Sequence, residues 1–314
     1  MKLKTIFNNF EEFLFKPQPV YSVALMRIGL GLILLFNWLM LYADLDILFG
    51  PDGMVSLQTA QQYGNPFRYS LFDYMPNTSK VTHTLAFINL LAVLAMTFGA
   101  WTRTAIFVAF VTLISFHHRN GFVMNSADSV LRNFLFLLMF TPCGDAFAID
   151  RWRLRLKGQA PEVPAEKAPW ALRMIQIQFC VIYLATVMFK IKGDRWVDGT
   201  AVYIATRLDD FVRFELPLLN NMIFIKYLTW STLLVEFALG TLVWIKDLRY
   251  WILLAGVGLH LGIEYTMSIP VFEWAMIVVM VSMVDSRDIE RWMEKLRKYR
   301  QQARTAQTPQ PQTT

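Results

Sequence analysis

Charged side chains are what this sequence is short of. Asp, Glu, Lys and Arg make up 17% of its 314 residues, against roughly a quarter in soluble domains. The shortage is uneven: long stretches carry no charge, and the charges gather in a few connecting segments. That pattern excludes a soluble globular enzyme, a disordered chain and a nucleic-acid binder. Cysteine is scarcer still. Cys143 and Cys180 are the only two, Cys180 stands inside an apolar run, and no CxxC or Cys/His spacing occurs. Neither a disulfide framework nor a metal centre is therefore expected. The Gly-rich phosphate loop, the GxSxG elbow and the HExxH pair are also missing. A cleavable leader is not expected either, because no small-x-small site follows the first apolar run.

What is there is apolar. Hydrophobic residues make up 55% of the chain and aromatic residues 15%. Runs near the ~20 residues that cross a bilayer fall at 20–43, 82–100, 103–118, 127–143, 170–190, 223–245, 249–265 and 269–285. They predict an all-α integral membrane protein with about eight transmembrane helices, the last two joined by a turn at Pro270. The formal charge of +6 needs no nucleic acid to explain it, because cytoplasmic loops of membrane proteins collect Lys and Arg. Placing the N-terminus inside leaves about twice as many basic residues inside as outside. An even number of spans then puts both termini in the cytoplasm. A bacterial plasma membrane is the expected location.

Two flanking segments read as interfacial helices. In residues 1–19, Ile6, Phe10, Phe13 and Leu14 share a face before Pro17 and Pro19 end the helix. In the basic segment 286–300, Ile289, Trp292, Met293 and Leu296 do the same. Residues 20–285 form the transmembrane unit, and the polar tail 301–314 is expected to be disordered. Outside, the connections 44–81 and 190–222 are too long to be turns. Within the second, 200–214 is expected to be helical and to lie along the membrane surface.

Ionisable groups inside the apolar runs are few, and such groups usually face a cavity or a partner. They are Arg27, Asp128, Arg132, Glu236, His260, Glu264 and Glu273, with Lys190 ending the fifth run. Asp128 and Arg132 are four apart, as are His260 and Glu264, so each pair shares a helix face. By depth, most of these groups fall in the outer half, which predicts an outward-facing polar cavity. Blander readings stand beside this one. Arg27 can snorkel to the inner surface, and Asp128 and Arg132 can form a helix-locking ion pair. His260 with Glu264 suits a hydrogen-bonded helix contact better than a metal. His117 to Asn120 mark an interfacial helix end, and Lys190 is an ordinary place for a snorkelling lysine.

Four stretches together resemble a known family. They are Leu25-Met-Arg27-Ile-Gly29-Leu-Gly31 with Gly50-Pro-Asp-Gly53-Met-Val-Ser56, and Asn125-Ser-Ala-Asp128-Ser-Val-Leu-Arg132 running to Pro142-Cys-Gly144 and Ala148-Ile-Asp150. The others are Phe189-Lys190-Ile191 with Asp194-Arg-Trp196-Val-Asp198-Gly199, and His260 with Ser268-Ile-Pro-Val-Phe272. In this order they resemble the horizontally transferred transmembrane (HTTM) domain, the membrane half of vitamin K-dependent gamma-carboxylase. The resemblance implies a quinone-oxygenating, carboxylase-like enzyme, a lyase in type. Its cofactor would be a reduced naphthoquinone of the vitamin K or menaquinone type, with no metal. Its partners would be the lipid bilayer and a secreted peptide, not nucleic acid.

By position Lys190 matches the family's base, and a partly desolvated lysine at an apolar helix end suits that role. Asp128 and Arg132 would tune or position it. His260, Glu264, Glu273, Trp196 and Asp194 would line the substrate cavity. One residue more separates Lys190 from Trp196 than in the carboxylase, which leaves Lys192 as a competing base. A supporting histidine of the family aligns with Asp128, and no long lumenal region is expected. The alternative is a non-catalytic membrane module for the maturation or export of a secreted peptide.

Overall fold

The computed structural model describes residues 2–64, 67–214, 216–269 and 271–307. The expected turn at Pro270 and the last residues of the tail, 308–314, lie outside the described residues. The described residues are all-α, with two isolated bridges, Gln18 to Lys167 and Val212 to Met267, and no strand.

Each apolar run holds a helix. After the amphipathic α1 (Lys2–Phe15), α2 (Tyr21–Leu41) continues through a short turn into α3 (Leu45–Phe49). The outer connection carries α4 (Leu57–Tyr63), and then come α5 (Ser79–Phe98), α6 (Thr102–Arg119) and α7 (Ser126–Leu138). Beyond the short α8 (Ile149–Leu156) lies α9 (Trp170–Lys190), followed by α10 (Asp194–Val197) and α11 (Ala201–Ala205). Last come α12 (Met222–Gly240), α13 (Lys246–Thr266), α14 (Phe272–Met280) and α15 (Ser286–Gln307). Among the described residues, four stretches are long and apolar enough to cross a membrane: Tyr21–Phe49, Ser79–Phe98, Trp170–Lys190 and Met222–Gly240. This is a multi-pass membrane protein. Large apolar side chains such as Leu39, Phe189 and Trp251 point outward, more than 70% exposed, as a lipid-facing surface requires.

Local chemistry sets the helix ends. The side chain of Asn125 caps α7 while Asp128 reaches back to the Asn125 N–H, a reciprocal capping box. Asn221 caps α12 by accepting from the N–H groups of Ile223 and Phe224. Gly99 ends α5 at φ 71°. A side chain there would meet both the Arg27 guanidinium and Ala148, so only glycine fits.

One core runs through α2, α5, α6, α7, α9, α13 and α14, built on residues such as Met26, Leu30, Met96, Phe134, Phe179 and Met276. Ser22 bonds Ser286 at 2.8 Å and the Gln18 backbone pairs with Lys167, so both ends of the chain gather at one end of the bundle. At the opposite end, Leu45, Phe49, Phe72, Leu85, Ala86 and Phe116 form a second, smaller core.

Several expectations need correction. Arg27 does not snorkel: it is fully buried and donates from Nη2 to the Phe147 carbonyl at 2.6 Å, because the loop before α8 closes over it. His117 to Asn120 do not simply mark an interface. Arg119 is fully buried and donates to the carbonyls of Val55 at 2.6 Å and Gly50 at 2.5 Å, while Asn120 donates to Leu48. The connection 44–81 is thereby clamped onto the bundle. The helix expected over 200–214 stops at Ala205, where the Thr206 hydroxyl returns to the Val202 carbonyl and Arg207 turns back to Leu219 and Asn220. At the other end of the chain, α15 continues to Gln307, into the segment read as tail.

Candidate functional site

The faces that pack α9, α12, α13 and α14 together carry the polar residues. On α9 the buried positions Phe179, Cys180 and Tyr183 lead, seven residues on and so on the same face, to Lys190. On α12 the buried face runs Ile225, Thr229, Thr232, Glu236 and Leu239. On α13 it is Leu253, Gly256 and His260, and on α14 it begins at Glu273.

These faces bring five ionisable groups into three contacts, a lysine–glutamate pair and a tyrosine–histidine–glutamate chain beside it. Lys190 Nζ lies 2.5 Å from Glu236 Oε1, and the other oxygen of Glu236 is buried without a hydrogen-bond partner. Beside this pair, the Tyr183 hydroxyl and His260 Nε2 are 2.6 Å apart, and His260 Nδ1 bonds the Glu273 carboxylate. Both ring nitrogens of His260 are thus engaged, Nε2 by the tyrosine hydroxyl and Nδ1 by the carboxylate, which fixes the orientation of the ring. His260 and Glu273 are 4% and 2% exposed, so water competes little for these bonds. The entry to α14 is strained: Val271 takes φ 77°, a region that β-branched residues avoid.

A turn between α9 and α11 supplies the roof. Trp196 on α10 lies over Lys190, with Nζ 4.5 Å from the ring centroid, a cation–π geometry. Asp198 accepts from the Thr200 N–H and hydroxyl, and those bonds hold its carboxyl below the usual carboxylate range. Gly199, at φ 83°, lies against Lys226 and Trp230 of α12, and the Trp230 indole donates to Val197. The turn is thus docked on the helix that carries Glu236.

The structure brings Lys190, Trp196, His260 and Glu273 together and distributes the other expected residues elsewhere. Asp194 opens α10 and is exposed. Glu264 does not meet His260. It pairs with Arg213 at 2.6 Å, because the segment before α12 bridges onto the end of α13 at Val212 and Met267. Asp128 does not pair with Arg132: its carboxylate meets His117 at 3.4 Å and the Asn125 N–H, and it lines a cavity of about 90 Å³ with Trp38 and Asn89. Arg132 faces a neighbouring cavity of about 380 Å³ that it shares with Arg68, His117 and His118. Lys192, the competing base, lies near the Phe189 ring on the exposed side of the turn. Of the participants, Glu236 stands out in the sequence as an ionisable group of an apolar run but not as the partner of Lys190. Tyr183 does not stand out at all, although its seven-residue spacing from Lys190 places it on the same face.

The fold and this cluster define a class: a multi-pass, all-helical membrane protein with a buried polar cluster where four helices meet. A family model of the HTTM domain matches residues 15–287, and the chain belongs to that family. No curated protein and no solved structure matches it.

Proposed function

We propose that the protein is a carboxylase-like membrane enzyme in which the Lys190–Glu236 pair moves a proton to and from a quinol-type or lipid-borne substrate. On this reading all eight apolar segments cross the bilayer, both termini are cytoplasmic, and the site opens toward the outer face. The observation that carries it is the 2.5 Å contact between Lys190 and Glu236 beside the buried Tyr183–His260–Glu273 chain. A structural lysine anchor would need none of these partners.

The residues suit a reduced naphthoquinone. Its hydroxyl needs an acceptor, which the free oxygen of Glu236 offers. Its rings need an aromatic wall, which Trp196 offers, and its tail needs a lateral apolar approach. The exposed Met188, Phe189, Leu234 and Phe237 flank α9 and α12 for that purpose. When bound, such a group would supply electrons to oxygen.

The chain's own residues handle the proton. Lys190 can pass one ammonium proton to Glu236 and so present a neutral amine. That amine accepts the substrate's hydroxyl proton at Nζ, and the resulting ammonium faces the new oxyanion. Trp196 covers Nζ from one side, and Tyr183 beneath it is buried.

The test is oxygen uptake and epoxide formation by detergent-purified protein given reduced vitamin K or menaquinone. Wild type should turn over, and Lys190→Met combined with Glu236→Leu should not, with both proteins folded. Wild type inert toward every quinone would overturn the enzyme reading and favour a non-catalytic module for peptide maturation.

A further inference from the structure

At the end of the bundle that carries both chain termini, α1 lies across the starts of α9 and α13 and leaves a cavity of about 460 Å³. Its walls hold five basic residues, Lys16, Arg173, Lys246, Arg249 and Arg287, and two acidic ones, Glu12 and Asp285, an excess of three positive charges. The acids are already engaged, Glu12 with Lys16 at 3.7 Å and Asp285 with Arg249 at 4.0 Å.

Arg173 is the informative member. Its guanidinium, half-buried, donates to the Phe13 carbonyl, to Gln176 and to Gln18. Every one of those acceptors is neutral and the guanidinium also lies 4.5 Å over the Phe13 ring, so among the described residues Arg173 makes no ion pair, although Asp285 is near enough to act on it. Lys246 likewise makes no ion pair among the described residues. It also sits in the first turn of α13, where the helix dipole disfavours a cation. The uncharged part of the wall mixes polar groups such as Asn9, Gln18 and Gln176 with an apolar side, on which Phe13 and Trp244 are in ring contact at 5.6 Å. Just beyond it, the exposed Ile6, Phe7 and Phe10 of α1 present a surface suited to acyl chains.

We propose that this cavity binds the phosphodiester headgroup of an anionic phospholipid. Arg173 and Lys246 face the phosphate, Phe13 and Trp244 pack against the glycerol, and the acyl chains run beside α1. A cationic pocket beside a helix that lies on the membrane is the arrangement that recognises such headgroups. The inference is independent of turnover and of the Lys190 cluster.

Full-length protein in mild detergent is titrated with phosphatidylglycerol or with phosphatidylcholine of the same acyl chains, followed by native mass spectrometry and thermal unfolding. Phosphatidylglycerol should remain bound and raise Tm, and phosphatidylcholine should do neither. Lys246→Glu should bind phosphatidylglycerol at least about tenfold more weakly, with its lipid-free Tm unchanged. Arg287→Gln, on an exposed side chain, provides a second variant expected to weaken binding in the same direction. Equal effects of the two lipids, or wild-type binding in both variants, would overturn the proposal. So would an equal Tm gain from millimolar inorganic phosphate, which would make the site one for a free anion.

Discussion

Lys190 and Glu236 depend on each other in a way that shapes any mutational test. Removing one partner of a buried ion pair leaves an uncompensated charge, at a cost of about 3–5 kcal/mol, whereas replacing both with apolar groups is often neutral. Lys190→Met alone should therefore lower Tm through the stranded Glu236 carboxylate, and adding Glu236→Leu should recover most of the loss without restoring turnover. Thermal unfolding of the two variants, read beside oxygen uptake, checks this. Equal destabilisation by both would mean the pair is not coupled.

Tyr183 makes a different kind of contribution. Tyr183→Phe keeps the ring packed on Phe179 but leaves His260 Nε2 buried without its hydrogen-bond partner, a penalty of about 1–3 kcal/mol. In the proposed enzyme it should also change the pH profile of turnover, because His260 loses its partner at Nε2. An unaltered profile with lowered stability would make the tyrosine purely structural.

Among elements, the turn from Gly193 to Thr200 is the most consequential, because it carries Trp196 to Lys190. Asp198 forms part of that turn through its bonds to Thr200. Since its folded pKa lies below the ordinary value, its contribution is present at neutral pH and is lost as pH falls through that lowered value. Gly199→Ala attacks the same turn. A side chain at φ 83° is strained and would also press on Lys226, so a loss of about 1 kcal/mol or more is expected. Trp196 fluorescence should shift as the ring leaves Lys190, and an unchanged spectrum would count against the docking role of the glycine.

The element scale is also where sequence reading was most and least successful. Helices such as α5 and α9 were legible to within a few residues, because long apolar runs bounded by Thr78, Gly99 and Pro169 leave little choice. Partners were harder to read. His260 and Glu264 share a face by spacing, yet Glu273 arrives from α14 and Arg213 from a loop to take one each. Asp128 likewise found His117 on α6 instead of Arg132 on its own helix. Such pairings depend on how helices cross, and a periodicity argument carries no information about that.

At the scale of the whole molecule, the apolar content and the charge distribution announced a multi-pass helical protein. The resemblance to the HTTM family added the order of the motifs. Neither could reveal the second core under the outer connection, because that core rests on bonds from Arg119 to Gly50 and Val55, 69 and 64 residues away.

The buried Arg27 has a consequence for how the protein is made. Its hydrogen-bonded partner, the carbonyl of Phe147, lies 120 residues later in the chain. During synthesis α2 therefore enters the bilayer with a guanidinium whose insertion is unfavourable, by up to about 2.5–3.5 kcal/mol at the depth of a helix centre, well before the loop that receives it exists. The first span should stay only partly committed until the segment ahead of α8 has emerged. Chains truncated ahead of residue 140 should show α2 more accessible to a water-soluble probe than chains truncated beyond 160, and Arg27→Leu should abolish the difference. Assembly of this bundle is then a matter of waiting: the earliest helix is finished by one of the later loops.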